Sequence, residues 1–199
     1  MTHKRTTLAL ISASLLLLLF GLNCQTVLQL VATPTLPPTP TRKPEPASTP
    51  LPLATDVPTE YAVAEEGINH IEDGQTATYA HYPPSSGLHY GRYLEWGFYD
   101  EAVQPEYWVH SLEHGGIVIL YNCSTDCQEI EDALRLFMDT APPETEFNEV
   151  KLLISPNSLI EHKVIALAWG WELDLETVDY DLLLDFYQRH VNQGPELVP

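Results

Sequence analysis

The clearest hydrophobic pattern lies in the second half of the chain, where apolar runs alternate with amphipathic stretches. Residues 117–121 read Ile-Val-Ile-Leu-Tyr after a Gly pair, which is typical of a strand buried on both faces. Apolar residues then recur at helical spacing, at Ile130, Leu134 and Phe137. They predict a helix over 127–140, with Asp126 as its cap.

Further elements follow from the same reasoning. Alternating residues at 76–79 predict a strand within 67–82, and Pro83 to Gly87 must form a loop. The apolar stretches 150–154 and 164–173 predict two more strands, the second with Trp169 and Trp171 on one face. A last helix is expected over 180–191, with inward-facing Leu183, Phe186 and Tyr187. The order predicts an α+β fold, with a mixed or antiparallel sheet and helices packed on one face.

The N-terminal 24 residues have the pattern of an export signal. Lys4 and Arg5 precede an uncharged, largely apolar run of 15 residues, Leu8 to Leu22. That run suits a signal-peptide core better than a membrane span, which needs about 20 residues. Its end with the following residues, Gly21 to Cys24, resembles a bacterial lipobox, so Cys24 is the expected lipidation site. Gly21 and Asn23 depart from the usual lipobox residues, and the alternative is an uncleaved signal anchor.

A linker and one domain follow this segment. Residues 25–60 are rich in Pro and Thr and have no apolar period, so they predict a disordered tether. Residues 61–199 are long enough to form one globular domain with its own core. We therefore expect an extracytoplasmic domain, attached to the outer face of the cell membrane by a lipid or an anchor.

The net charge of the chain limits the classes of partner that it is expected to bind. The formal net charge is −19, which repels nucleic acid and anionic lipid surfaces. Nucleic-acid binding is therefore not expected, whereas the long-range field favours metal ions and other cations. The alternative is that the charge serves solubility alone.

Two of the three cysteines lie together in the domain. Cys123 and Cys127 join the predicted strand at 117–121 to the following helix. In an oxidising compartment such a pair favours a local disulfide. The alternative is a pair of thiolates that binds copper at a helix N-terminus, where thiol pKa values are lowered.

Six short motifs follow one another through the domain: His70, Tyr82 to His89, Trp96-Gly97, Val109 to Gly116, Ala168 to Gly170, and Gly194 to Glu196. Together they resemble the bacterial domain-of-unknown-function family 3105, over residues 70–196. The family usually has Thr and Pro where this chain has Ser85 and Leu88, but His89 is kept. The resemblance implies an exported domain and marks the histidine positions, and it names no reaction.

The histidines are the candidate metal ligands of the domain. His110 and His114 are four residues apart, so a helical turn would place both rings on one face, whereas a strand would hold them about 13 Å apart. His89 follows the Pro-Pro loop, and His70 would complete a set of four. Imidazole ligands suit a transition metal such as copper or zinc. The alternative is that the rings are structural, each paired with backbone or with Glu113.

Three functional hypotheses remain open. The first is a non-catalytic domain that binds or handles a transition metal through His89, His110 and His114, with His70 as the fourth ligand. The second is a metal-assisted hydrolase with Glu113 as base, because His110 to His114 matches His-x-x-Glu-His. Against it, Gly115-Gly116 leaves room for one helical turn. The third is a module that binds an envelope protein through aromatic residues, namely Trp96, Tyr99 and Trp108.

Overall fold

A computed structural model of the chain describes residues 58–125 and 127–199. The predicted export segment with Cys24, the predicted linker up to residue 57 and the predicted cap Asp126 lie outside the described residues. Over the two described ranges, no helix combines the length and the apolar character that crossing a bilayer requires.

Eight strands and three helices follow one another along the described part of the chain. The strands are β1 (Tyr61–Ala62), β2 (His70–Ile71), β3 (His89–Tyr90), β4 (Gly97–Phe98), β5 (Ile117–Tyr121), β6 (Leu152–Pro156), β7 (Val164–Ala168) and β8 (Trp171–Leu175). The helices are α1 (Pro105–Glu113), α2 (Gln128–Thr140) and α3 (Tyr180–His190).

Six strands form one sheet in the order β1-β8-β7-β5-β6-β4. At its centre, β5 runs parallel to β6 and antiparallel to β7. β2 and β3 form a separate parallel pair. The mixed sheet and the helices confirm the predicted α+β class, and β5 is buried along its whole length, as its apolar run predicts.

The two faces of the sheet carry different helices. Because side chains alternate along a strand, Ile117 and Ile119 of β5 pack with α2 and α3, whereas Val118 and Leu120 pack with α1. The two helices that the sequence predicts therefore share one face, and α1 lies on the other. Full burial of a side chain such as Phe137 contributes roughly 1.5–3 kcal/mol, so both layers stabilise the sheet.

Helix α1 is longer than the single turn expected from the Gly pair. Pro105 stands at its N-terminus and Glu106 in its first turn, both favourable positions. Trp108 is fully buried and therefore belongs to the core rather than to an exposed binding surface. The helix ends before Gly115, whose φ is +75°. The nine residues of α1 place His110 and Glu113 in its last turn.

One strand prediction is wrong, and a second is correct in its range but misplaced within it. Residues 164–173 form a hairpin rather than one strand, because Gly170 adopts a φ of +71° and turns the chain between β7 and β8. Trp169 is consequently 8% exposed and Trp171 36% exposed. The strand expected within 67–82 is present as β2, at His70–Ile71. The alternating residues 76–79 pair with no strand among the described residues, and the Ala77 N–H donates to the Glu106 carboxylate at 2.9 Å instead.

A disulfide joins Cys123 to Cys127 between β5 and α2, with their Cα atoms 5.5 Å apart. This agrees with the predicted pair. Cys123 packs on the face of the sheet that carries α2 and α3. The disulfide therefore constrains a turn on the face of the sheet opposite to α1.

Candidate functional site

The last turn of α1 supplies two buried side chains. His110 is 5% exposed and Glu113 is 2% exposed. Residues three apart lie on the same face of a helix, so both side chains point the same way. The His110 Nδ1 atom lies 3.8 Å from the Glu113 Oε2 atom.

The parallel pair of β2 and β3 supplies two more imidazoles. Its register places His70 directly beside His89, with ring centroids 4.6 Å apart. The loop before β3 is held by Trp108, whose indole N–H donates to the Pro84 carbonyl at 3.1 Å. Gly87 ends this loop with a φ of +116°, a conformation that favours glycine. The predicted Pro-Pro loop therefore does fix the position of His89.

The two elements bring three imidazoles around one carboxylate oxygen. Glu113 Oε2 lies 2.9 Å from His89 Nε2 and 3.3 Å from His70 Nε2. The possible ligand atoms of His70, His89, His110 and Glu113 all lie within 4.8 Å of one another. Two atoms bound to one tetrahedral ion at 2.0–2.1 Å would be about 3.4 Å apart. The group could therefore hold a metal ion.

The proton on His89 is assigned by its backbone partner. His89 Nδ1 lies 2.8 Å from the Gly87 carbonyl oxygen, which can only accept, so Nδ1 carries the hydrogen. In the neutral ring, Nε2 then presents a lone pair, and it faces a carboxylate oxygen 2.9 Å away. Two acceptors at this distance repel each other unless a proton or a cation lies between them. A backbone carbonyl at the far ring nitrogen is also the usual support of a metal-bound histidine.

His110 is buried without a hydrogen-bond partner at Nδ1 among the described residues. Burial lowers the pKa of His110 to about 4, and repulsion from His114 and His89 contributes. The ring is therefore neutral at physiological pH. By contrast, the His70 side chain is 49% exposed, so the group is open to solvent on that side.

His114 lies outside this group. The helical backbone does bring its ring within 4.4 Å of the His110 ring, as the spacing predicts for a helix. One turn advances about 5.4 Å along the axis, however, so His114 meets a different set of groups. It forms a second group with Glu113 and Glu196. The expected convergence of His89, His110 and His114 is therefore replaced by His70, His89 and His110 around Glu113.

Two features of the site go beyond the sequence analysis. One oxygen of Glu113 lies among three imidazoles at once, whereas the sequence offered Glu113 only as a base or as a partner of a single ring, and Glu196 contacts His114 at 3.6 Å between Oε2 and Nε2. The Gly194 to Glu196 motif was the only sequence signal for Glu196. Its role depends on how the C-terminal segment folds back, which local patterns do not encode.

Comparison with known proteins identifies a family and no activity. A family model described as "Protein of unknown function (DUF3105)" matches residues 70–198. No curated protein and no solved structure matches the chain. The matched range includes both groups of possible ligands.

Proposed function

The chain belongs to the DUF3105 family, whose description names no activity, and on that premise we propose that it binds a single transition-metal ion through His70, His89, His110 and Glu113. The domain is an exported, membrane-tethered metal-binding or metal-handling module. Three imidazoles and one carboxylate are a donor set that suits zinc or copper. The net charge of −19 raises the local concentration of cations around it.

The observation that carries this proposal is the bare Nε2 of His89 facing the Glu113 carboxylate. An added proton could relieve that contact by forming a buried imidazolium, but it would leave the His110 Nδ1 atom without a partner. A metal ion relieves the same contact and uses the His110 nitrogen and the His70 nitrogen as well. A metal ion can therefore be bound by all three imidazoles, whereas an added proton relieves only the contact between His89 and Glu113.

A binding role fits Glu113 better than the hydrolase alternative. A general base must be free to take a proton from a metal-bound water. Here Oε2 of Glu113 already lies within 3.3 Å of two imidazole nitrogens, which is the position of a ligand. In the His-x-x-Glu-His arrangement both histidines bind one ion, yet His110 and His114 lie in different groups.

Calorimetric titration of the metal-free full-length protein with zinc and with copper tests the proposal. The His89→Ala variant is expected to bind at least about 100-fold more weakly, because it removes the ligand with the best-defined orientation. His162→Ala is the control, since His162 is a surface histidine whose ring pairs with Glu176 at 2.6 Å. Equal affinity of the parent and His89→Ala would refute the site.

The cellular location is a second part of the proposal. A short apolar run ending at Cys24 supports lipid attachment there. The mature N-terminus is expected to be a lipidated Cys24, measurable by mass spectrometry after detergent extraction. A chain that still carries Met1 would exclude the lipoprotein and leave the signal anchor.

A further inference from the structure

The second group of possible ligands shares a residue with the first. Glu113, His114 and Glu196 each offer a ligand atom, and these atoms lie within 4.8 Å of one another. His114 Nε2 and Glu196 Oε2 are 3.6 Å apart, which is too long for a hydrogen bond and close to the separation of about 3.4 Å between two ligands of one ion. Glu113 has two carboxylate oxygens and so can serve both groups.

The C-terminal segment that carries Glu196 is held against the end of α1 by contacts other than the carboxylate. The Glu196 N–H donates to the Glu113 carbonyl at 3.0 Å. The fully buried Lys151 ammonium donates to the His114 and Val198 carbonyls. Gly194 fits so closely that an added Cβ would lie 2.3 Å from the Glu113 carbonyl oxygen. The backbone of Glu196 is therefore positioned by the fold, beside His114.

The second group faces solvent through its own opening. Glu196 is 52% exposed and the His114 side chain 15% exposed. Both line a cavity of about 440 Å³ together with Tyr93, Trp96 and Glu149. A cation could thus reach this group from the side of the C-terminal segment, whereas the first group opens at His70.

We propose that Glu113, His114 and Glu196 bind a second divalent metal ion and that Glu113 bridges the two ions. This inference rests on the proposed function, because the bridge requires an ion in the first group. Carboxylate-bridged pairs of metal ions lie about 3.5–4 Å apart in proteins, a distance that one carboxylate can span.

The donor sets predict different preferences for the two ions. The second group has one imidazole and two carboxylates, so it is a harder site than the first and discriminates less strongly against hard ions such as manganese. The Lys151 ammonium donates to the His114 carbonyl, so its positive charge lies near this group and opposes a cation there. The second ion is therefore held more weakly and is the first to be lost on dialysis.

The test is the number of zinc ions that the full-length protein binds and the change on substitution. The parent is expected to bind two ions in two distinguishable steps. Glu196→Gln is expected to abolish the weaker step and to keep the tighter one. Glu149→Gln is the matched control, because it removes a carboxylate from the same cavity outside the group, and it should keep both steps. Circular dichroism of each variant verifies folding.

The outcomes separate this inference from the proposed function. One zinc ion per chain, lost in His89→Ala and unaffected by Glu196→Gln, would overturn the second site and keep the first. No bound zinc or copper would overturn both. Loading with Cu²⁺ tests the bridge, because two bridged ions give a magnetically coupled electron paramagnetic resonance spectrum. An uncoupled spectrum at two ions per chain would contradict the bridging role of Glu113.

Discussion

Replacing Glu113 by Gln should have opposite effects on the metal-free and the metal-bound protein. Without metal, the Gln amide N–H can donate to the lone pair of His89 Nε2, at the position where the carboxylate oxygen now lies 2.9 Å away. An acceptor–acceptor contact becomes a hydrogen bond, which is worth about 1 kcal/mol net. The metal-free variant is therefore expected to be as stable as the parent or slightly more stable.

With metal, the same change removes the anionic ligand. If the affinity falls about 100-fold, the loss is about 2.7 kcal/mol of binding free energy. At a free metal concentration of about 1,000 times the parent Kd, the ion stabilises the parent by about 4.1 kcal/mol and the variant by about 1.4 kcal/mol. At about 3 °C per kcal/mol for a domain of this size, the metal should raise the parent Tm by about 12 °C and the variant Tm by about 4 °C.

Thermal unfolding followed by circular dichroism, with and without zinc, measures both effects. Glu172→Gln is the matched control, because Glu172 is also 2% exposed and its Oε2 lies 2.5 Å from His81 Nε2, outside the group. It should keep the full metal-induced shift. If Glu113 instead formed a buried ion pair with a protonated histidine, metal-free Glu113→Gln would lose about 3–5 kcal/mol. That loss, without any zinc-induced shift in the parent, would refute the reasoning.

Three further predictions concern pH, packing and the disulfide. The folded-state pKa of His110 is lowered to about 4 from 6.5, so the unfolded chain binds more protons between these values. The free energy of unfolding of the metal-free protein should therefore fall by about 3 kcal/mol as pH drops from about 6.5 to about 4, measured by urea denaturation, and a His110→Gln variant should show a shallower slope. Gly194→Ala should lower the free energy of unfolding by about 1–3 kcal/mol, because its Cβ would meet backbone atoms. Gly97→Ala is the control, because the space around its Cβ is open and it should not show this steric cost. Similar melting temperatures of the two variants would contradict the close fit of Gly194. Replacing Cys123 and Cys127 by Ser should lower the free energy of unfolding by at most about 2 kcal/mol, through chain entropy. The metal affinity should stay unchanged, and a change measured by calorimetry would contradict this expectation and indicate coupling across the sheet.

The sequence alone was enough to predict the elements whose pattern is local. The buried run of β5 and the helical spacing of Leu134 and Phe137 in α2 depend on burial and periodicity, which a short window of residues records. Helix α1 was missed because aromatic and polar residues before Gly115 obscure its period. Its Pro at the first helical position was the signal that could have revealed it.

The tertiary structure alone decided which histidines meet. The sequence singled out His70, His89, His110 and Glu113 as candidate residues, but it favoured His114 as a ligand because spacing within one helix is all that a linear pattern can measure. The pairing of His70 with His89 depends on the register of two short parallel strands. Their approach to Glu113 then depends on α1 packing on the second face of the sheet, across sequence separations of 43 and 24 residues. Such convergence is set by side-chain direction and long-range packing, and neither leaves a periodic trace along the chain.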